Sequence, residues 1–235
     1  MRGYPCRRES GLVALLLAVA LLTTVATTMV IRQANAVRTL GNKIALTHQR
    51  LEAIRIGLVN YVAVTGRLPC PAPYAIGTGN AAPAGSNNTC NVAALANLST
   101  GAVPWNELGM SSSDALDGWG RKISYRVFSG GAIGVAGKPI TVDDPLVLPP
   151  LIADKAFVLI SHGETGYGAW SASGIQPALA PVSVQEVANA GNLLAYFRRN
   201  FSGHTSPPVP PTDPAFFDDL VIYMTVNQVK VAAGF

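Results

Sequence analysis

Few residues in this chain have the type and spacing to do chemistry. His48, His162 and His204 share no metal-like spacing. Ser161 and His162 are adjacent, and on a strand adjacent side chains point to opposite faces, which separates a nucleophile from its base. No G-x-S-x-G run occurs. The run GAIGVAGKP at 131–139 has glycines and a lysine, but a phosphate loop needs Gly at 132 and Ser or Thr at 139, where Ala132 and Pro139 stand. Paired carboxylates occur twice, at Asp143-Asp144 and Asp218-Asp219. Carboxylate oxygens suit calcium, so Asp218 and Asp219 are weak calcium candidates; no regular ligand loop surrounds them, and as loop acids they are expected to be exposed and solvated. The chain therefore offers no catalytic residue, no cofactor site and no metal centre beyond that weak pair, and an enzyme is not expected.

The cysteines carry more information. Cys6, Cys70 and Cys90 include no C-x₂-C pair with matching histidines, so zinc is not indicated. Cys70 and Cys90 lie twenty residues apart in a segment rich in Pro, Gly, Asn and Ala. In an oxidising compartment they would close a loop worth about 3 kcal/mol. That pairing puts the segment outside the cytoplasm, with Cys6 on the reducing side.

The elements around these residues begin with a candidate membrane span. Residues 12–31 (LVALLLAVALLTTVATTMVI) hold no charge and follow the basic leader MRGYPCRRESG at 1–11. About 20 apolar residues in a helix cross a ~30 Å hydrocarbon core, and a single lipid-exposed segment must be helical to satisfy its backbone. Thr23, Thr24, Thr27 and Thr28 are tolerable there because threonine can bond back to its own helix. Ala34-Asn35-Ala36 resembles a signal-peptidase site, yet the apolar run exceeds the usual ~7–15 residues of a signal peptide. Arg2, Arg7 and Arg8 precede the span, while Arg32, Arg38 and Lys43 follow it, so charge does not decide orientation. The cysteines decide it.

No proline interrupts the chain between the span and residue 65. Leu40, Ile44, Leu51, Ile54, Leu58 and Tyr61 fall at helical spacings, which predicts an amphipathic stem continuing the span, 12–65 in all. Gly41 and Gly57 weaken it by up to about 1 kcal/mol each without stopping it. Gly66 and Pro69 end it.

Residues 66–235 suffice for one globular head with its own core. Residues 1–67 carry nine basic and two acidic side chains, and the remainder eight and eleven, so the high pI belongs to leader and stem. Such basic residues serve lipid headgroups or neighbouring subunits, and with no basic run of five no nucleic-acid partner is expected. Alternation predicts strands at 122–128 (KISYRVF), 156–161 (AFVLIS) and 220–226 (LVIYMTV), with a turn at Gly130-Gly131. An apolar patch occupies 92–98, a helical pattern spans 184–197, and the proline-rich stretch 206–214 is a connector. The expected class is α+β, with an antiparallel sheet covering the stem's apolar stripe.

The leader ends Arg7-Arg8-Glu9-Ser10-Gly11, and an apolar helix starts at Leu12. GRLPCPA at 66–72, GAVPWNELGM at 101–110, DGWGRKISYRV at 117–127, FVLISHGETGYGA at 157–169 and FFDDLVIY at 216–223 follow in order. In this arrangement the chain resembles the type IV pilin and type II secretion pseudopilin superfamily. Asp117-x-Trp119-Gly120 with Tyr125, and Ser161-x-Gly163, resemble the D-P-W-G…Y and S-x-G-x-D-G blocks of major pseudopilins. The resemblance implies cleavage by a prepilin peptidase between Gly11 and Leu12, methylation of the new amino group, and assembly with other such subunits into a filament. It places the anchor in the bacterial inner membrane and the head in the periplasm. Ala14, Ala18, Ala20 and Ala26 would let neighbouring helices approach closely.

One position departs from the pattern. The family usually has a glutamate at the fifth mature residue, an acid that is costly in lipid and pairs with a neighbour's amino terminus. Leu16 stands there. Three readings stay open: a minor or initiating subunit, different processing, or a pilin-like protein that never polymerises. From other classes, the alternatives are a monomeric signal-anchored periplasmic binding domain and a secreted enzyme released after Ala36. Trp105 and Trp119 are expected as core anchors of the head.

Overall fold

A helix of 57 residues, α1 (Glu9–Thr65), dominates the computed structural model, which describes residues 9–82, 90, 100–128, 140–147, 151–177, 182–191, 195–202 and 209–235. The leader residues 1–8, the patch at 92–98, the Gly130-Gly131 turn, the run 131–139 and residues 206–208 of the connector lie outside them. The fold is α+β, a long apolar N-terminal helix with a small, mostly antiparallel sheet.

Two compact units divide the chain, Met1–Asn42 and Lys43–Phe235. In the first, every residue of 14–39 is exposed and the most apolar stretch has mean hydropathy 2.4. Among the described residues this is the one helix long and apolar enough to cross a membrane. Its threonines close on their own helix as expected. Thr23 donates to the Ala20 carbonyl at 2.9 Å, Thr24 to Leu21 at 2.8 Å, Thr27 to Thr23 at 2.9 Å and Thr28 to Val25 at 2.8 Å.

The second unit is built on the last turns of α1. Leu51, Ile54 and Leu58 are fully buried, as the stripe predicts. Thr47 and Val62 extend the stripe at both ends, whereas Tyr61 and Ile44 are half-buried. Gly66 ends the helix at φ +72°, and its N–H donates to the Val62 carbonyl at 2.7 Å.

The sheet follows. Strands β1 (Thr100–Ala102), β3 (Ser124–Val127), β4 (Ile140–Asp143), β5 (Leu151–Ser161), β7 (Ala195–Phe197) and β8 (Leu220–Thr225) make one six-stranded sheet. The long strand β5 pairs antiparallel with β3, β4 and β8. The β4–β7 pair is parallel, a departure from the all-antiparallel expectation. A separate two-stranded ribbon joins β2 (Arg121–Lys122) to β6 (Trp170–Ser171). Tyr125 and Val127 join Leu51, Ile54 and Leu58 in one apolar core, together with Phe157. Ser124 and Arg126 alternate with them and so face the other way, where Arg126 donates to the Gly191 carbonyl at 2.9 Å.

Three further predictions need correction. The helical pattern at 184–197 is split: α2 (Val184–Ala190) stops at Gly191, and residues 195–197 pair with β4 instead. Pairing captures them because Asn189 accepts from the Phe197 N–H at 2.8 Å and donates to its carbonyl at 2.9 Å. The final strand ends at Thr225, whose side chain caps α3 (Val226–Ala233) in a capping box with Gln228. The predicted strand 122–128 divides at Ile123, whose N–H bonds to Ala115.

The D-x-W-G turn fastens the head to α1. Asp117 is buried; its Oδ1 accepts from the N–H groups of Trp119 and Arg121 at 2.9 Å each, and its Oδ2 from Ser161 Oγ at 2.8 Å. The Gly118 N–H donates to Thr47 Oγ1 at 2.8 Å, and Arg50 Nη1 reaches the carbonyls of Leu116 and Asp117 at 3.0 and 3.1 Å. A Cβ at Gly118 would overlap the Lys43 carbonyl, so only glycine permits this approach. Trp105 and Trp119 are half-buried and pack against the core.

Candidate functional site

Strand β5 runs into Ser161-His162-Gly163, and β8 is entered through Asp218-Asp219. Helix α2 lies alongside. Ser183 caps it and accepts from the Glu186 N–H at 3.5 Å. The spacing Ser183-x-x-Glu186 suggests a capping box in which glutamate turns back to the cap. Instead, Glu186 Oε1 accepts from the Asp218 N–H at 2.9 Å.

These three segments gather three carboxylates. Glu186, Asp218 and Asp219 are 1%, 0% and 4% exposed, with one oxygen of each lying within 4.8 Å of the others. The expectation that Asp218 and Asp219 are solvated loop acids is therefore corrected: side chains from β5's exit and α2 cover them. Thr165 donates to Asp218 twice, from its N–H at 2.7 Å and its hydroxyl at 3.1 Å. Asn189 Nδ2 donates to Asp219 Oδ2 at 2.8 Å. His162, 1% exposed, sets Nδ1 at 3.5 Å from Asp219 Oδ1 and Nε2 at 3.0 Å from Ser124 Oγ. Among the described residues, Glu186 Oε2 and His162 Nδ1 find no conventional hydrogen-bond donor or acceptor, though Nδ1 lies in ion-pair range of Asp219. No described lysine or arginine pairs with any of the three acids.

The electrostatics follow. Burial, then the neighbouring Asp219 charge, holds the Glu186 carboxyl well above the ordinary carboxylate range. Burial also raises Asp218, against the opposing pull of the Thr165 N–H. The chemistry open to such a cluster is to hold protons or a hard cation. Ser161 and His162 do not pair with each other: Ser161 bonds to Asp117, while His162 Nε2 meets Ser124 Oγ at 3.0 Å in a buried Ser124–His162–Asp219 row.

The other acidic pair is a contrast. Asp144 accepts from Arg198 and from the Tyr223 hydroxyl, both at 2.8 Å, and Asp143 pairs with Arg199 at 2.6 Å. That pair is a structural clamp.

Cys70 and Cys90 are joined in a disulfide. Gly11 and Leu12 lie in the first turns of α1. Glu186, Asn189 and Thr165 are site residues that sequence reasoning missed, and His162 is one it weighed beside Ser161 and set aside; the capping spacing is the one local signal near Glu186, and it points elsewhere. Compared with known proteins, the chain matches no family model, no curated protein and no solved structure.

Proposed function

We infer that this chain is a pilin-like or pseudopilin-like subunit, anchored in the bacterial inner membrane with its head in the periplasm, that enters a type IV pilus or type II secretion filament. The observation that carries the reading is α1. One helix supplies both a stretch of exposed apolar residues at 14–31 and the buried spine of the head, Leu51, Ile54 and Leu58. A plain anchor needs the first half alone. A helix that is also the core of its own head transmits assembly of the apolar segment directly to the head. In the bilayer the segment is sheltered by lipid, and in a filament by neighbouring helices, so its surface avoids water in both states. The Cys70–Cys90 disulfide supports an oxidising compartment for the head.

A prepilin peptidase acting between Gly11 and Leu12 would release the assembly-competent amino terminus. Leu16, where an acid is usual, favours a minor or initiating subunit within this reading. It also sustains the second reading, a monomeric signal-anchored periplasmic binding domain. Mass spectrometry of the mature amino terminus separates the two: a methylated Leu12 is expected, an intact Met1 would favour the plain anchor, and a terminus at Val37 would sink both.

A further inference from the structure

We propose that a cavity beside the β2–β6 ribbon binds a free small carboxylate with a compact apolar body, anchored by the Lys122 ammonium. The cavity measures about 190 Å³ and shares no lining residue with the acidic cluster. Ala72, Ala102, Ala115 and Trp105 give it an apolar wall. Lys122, 8% exposed, is the only charged side chain among the described lining residues.

An ammonium carries three N–H donors and a full charge. Lys122 Nζ gives one donor to the Tyr74 carbonyl at 2.7 Å and one to the Ile76 carbonyl at 3.2 Å. Both acceptors are neutral, and among the described residues no carboxylate lies in ion-pair range of Nζ. Ile76 lines the cavity too, so the ammonium stands at its wall. Stapling the turn at 74–76 thus leaves one donor to spare and the charge uncancelled. A buried charge is costly unless paired, and burial lowers the pKa of this lysine. An anion in the cavity supplies the missing pair.

Volume sets the size of that anion. An apolar cavity of about 150 Å³ holds benzene, so this one holds a ring or a short branched chain with its carboxylate. Long acyl chains and nucleotides are excluded. The walls are already in place: Ala72 and Ala102 exchange backbone hydrogen bonds at 2.9 and 2.8 Å, and the Asn106 N–H donates to the Gly79 carbonyl at 3.2 Å. Tyr74 stacks on Trp170 of β6 at 5.1 Å between ring centroids. Such preorganisation spares a ligand the cost of ordering its site. Ala172 lines the cavity yet is exposed, which marks the mouth. The site stands whether or not the chain polymerises.

The test titrates the full-length chain in detergent micelles with benzoate and with benzamide, its neutral counterpart of the same shape, by calorimetry with Tm read alongside. One benzoate per chain and a saturable rise in Tm are expected. Benzoate should bind at least about tenfold tighter than benzamide, as one hydrogen bond to a charged group provides. Lys122→Met keeps the stem without the charge and should bring the two ligands to equal affinity. Ala172→Phe, at an exposed position, should abolish benzoate binding. Three results overturn the proposal: no benzoate bound by the wild type, equal wild-type affinity for the two ligands, or benzoate binding unchanged in Ala172→Phe. The first two need no variant, so the proposal can fail even if Lys122→Met does not fold.

Discussion

The two acidic pairs in this chain are alike on paper and opposite in the fold. Asp144 is 1% exposed, yet it is met by Arg198, the Tyr223 hydroxyl and the Leu146 N–H at 2.8, 2.8 and 3.0 Å. Burial alone would raise its carboxyl, but these donors outweigh burial and hold it below the ordinary value. A carboxyl whose folded pKa is depressed stabilises the fold above its unfolded pKa and loses that contribution as pH falls through the folded one. Asp144→Asn is therefore expected to flatten the acid limb of the Tm–pH curve, and an unchanged acid limb would count against the clamp. Among the described residues no lysine or arginine pairs with Asp218 or Asp219, whose neighbours are Thr165, Asn189, Glu186 and His162 instead. Neither difference can be read from the dipeptides, because their partners lie 54, 79, 32 and 30 residues away.

At the scale of elements, α1 was the most readable feature. Its apolar spacings named Leu51, Ile54 and Leu58, because a 3.6-residue period survives whatever packs against it. Gly57 is the apparent flaw in that helix. A Cβ there would meet Leu108 Cβ and Met110 Sδ at 3.6 and 3.7 Å, ordinary contact distances. Gly57→Ala should therefore raise stability by up to about 1 kcal/mol through helix propensity and a less flexible unfolded chain. Chemical denaturation of the full-length chain in detergent checks this, and a loss of stability would show that Leu108 and Met110 cannot accommodate a methyl group. The segment 184–197 went the other way. Its helical period was real for α2, but Gly191 and the pairing of residues 195–197 with β4 overrode the rest. The capping box at Thr225 and Gln228 was a local signal for α3 that a run of apolar strand residues concealed.

At the scale of the whole molecule, the disulfide is the covalent tie. It joins the exit of α1 to a segment twenty residues on, near Tyr125, whose buried hydroxyl donates to the Pro69 carbonyl at 3.0 Å. Replacing Cys70 and Cys90 together by serine should cost about 3 kcal/mol of stability, on the loop-entropy estimate. Equilibrium denaturation of the variant beside the oxidised wild type measures it, and equal midpoints would mean the bridge constrains nothing. By itself, the amino-acid sequence determined the apolar segment, the stem's stripe, the cysteine pair and the α+β class, since each rests on composition or on a period within one stretch of chain. Tertiary structure alone decided that Asp218 and Asp219 are buried, that Glu186 turns away from its own cap to join them, and that Gly118 lies against the backbone of α1 at Lys43. Those outcomes depend on which distant segments come to share a face of the sheet, and no local pattern encodes the energy of that meeting.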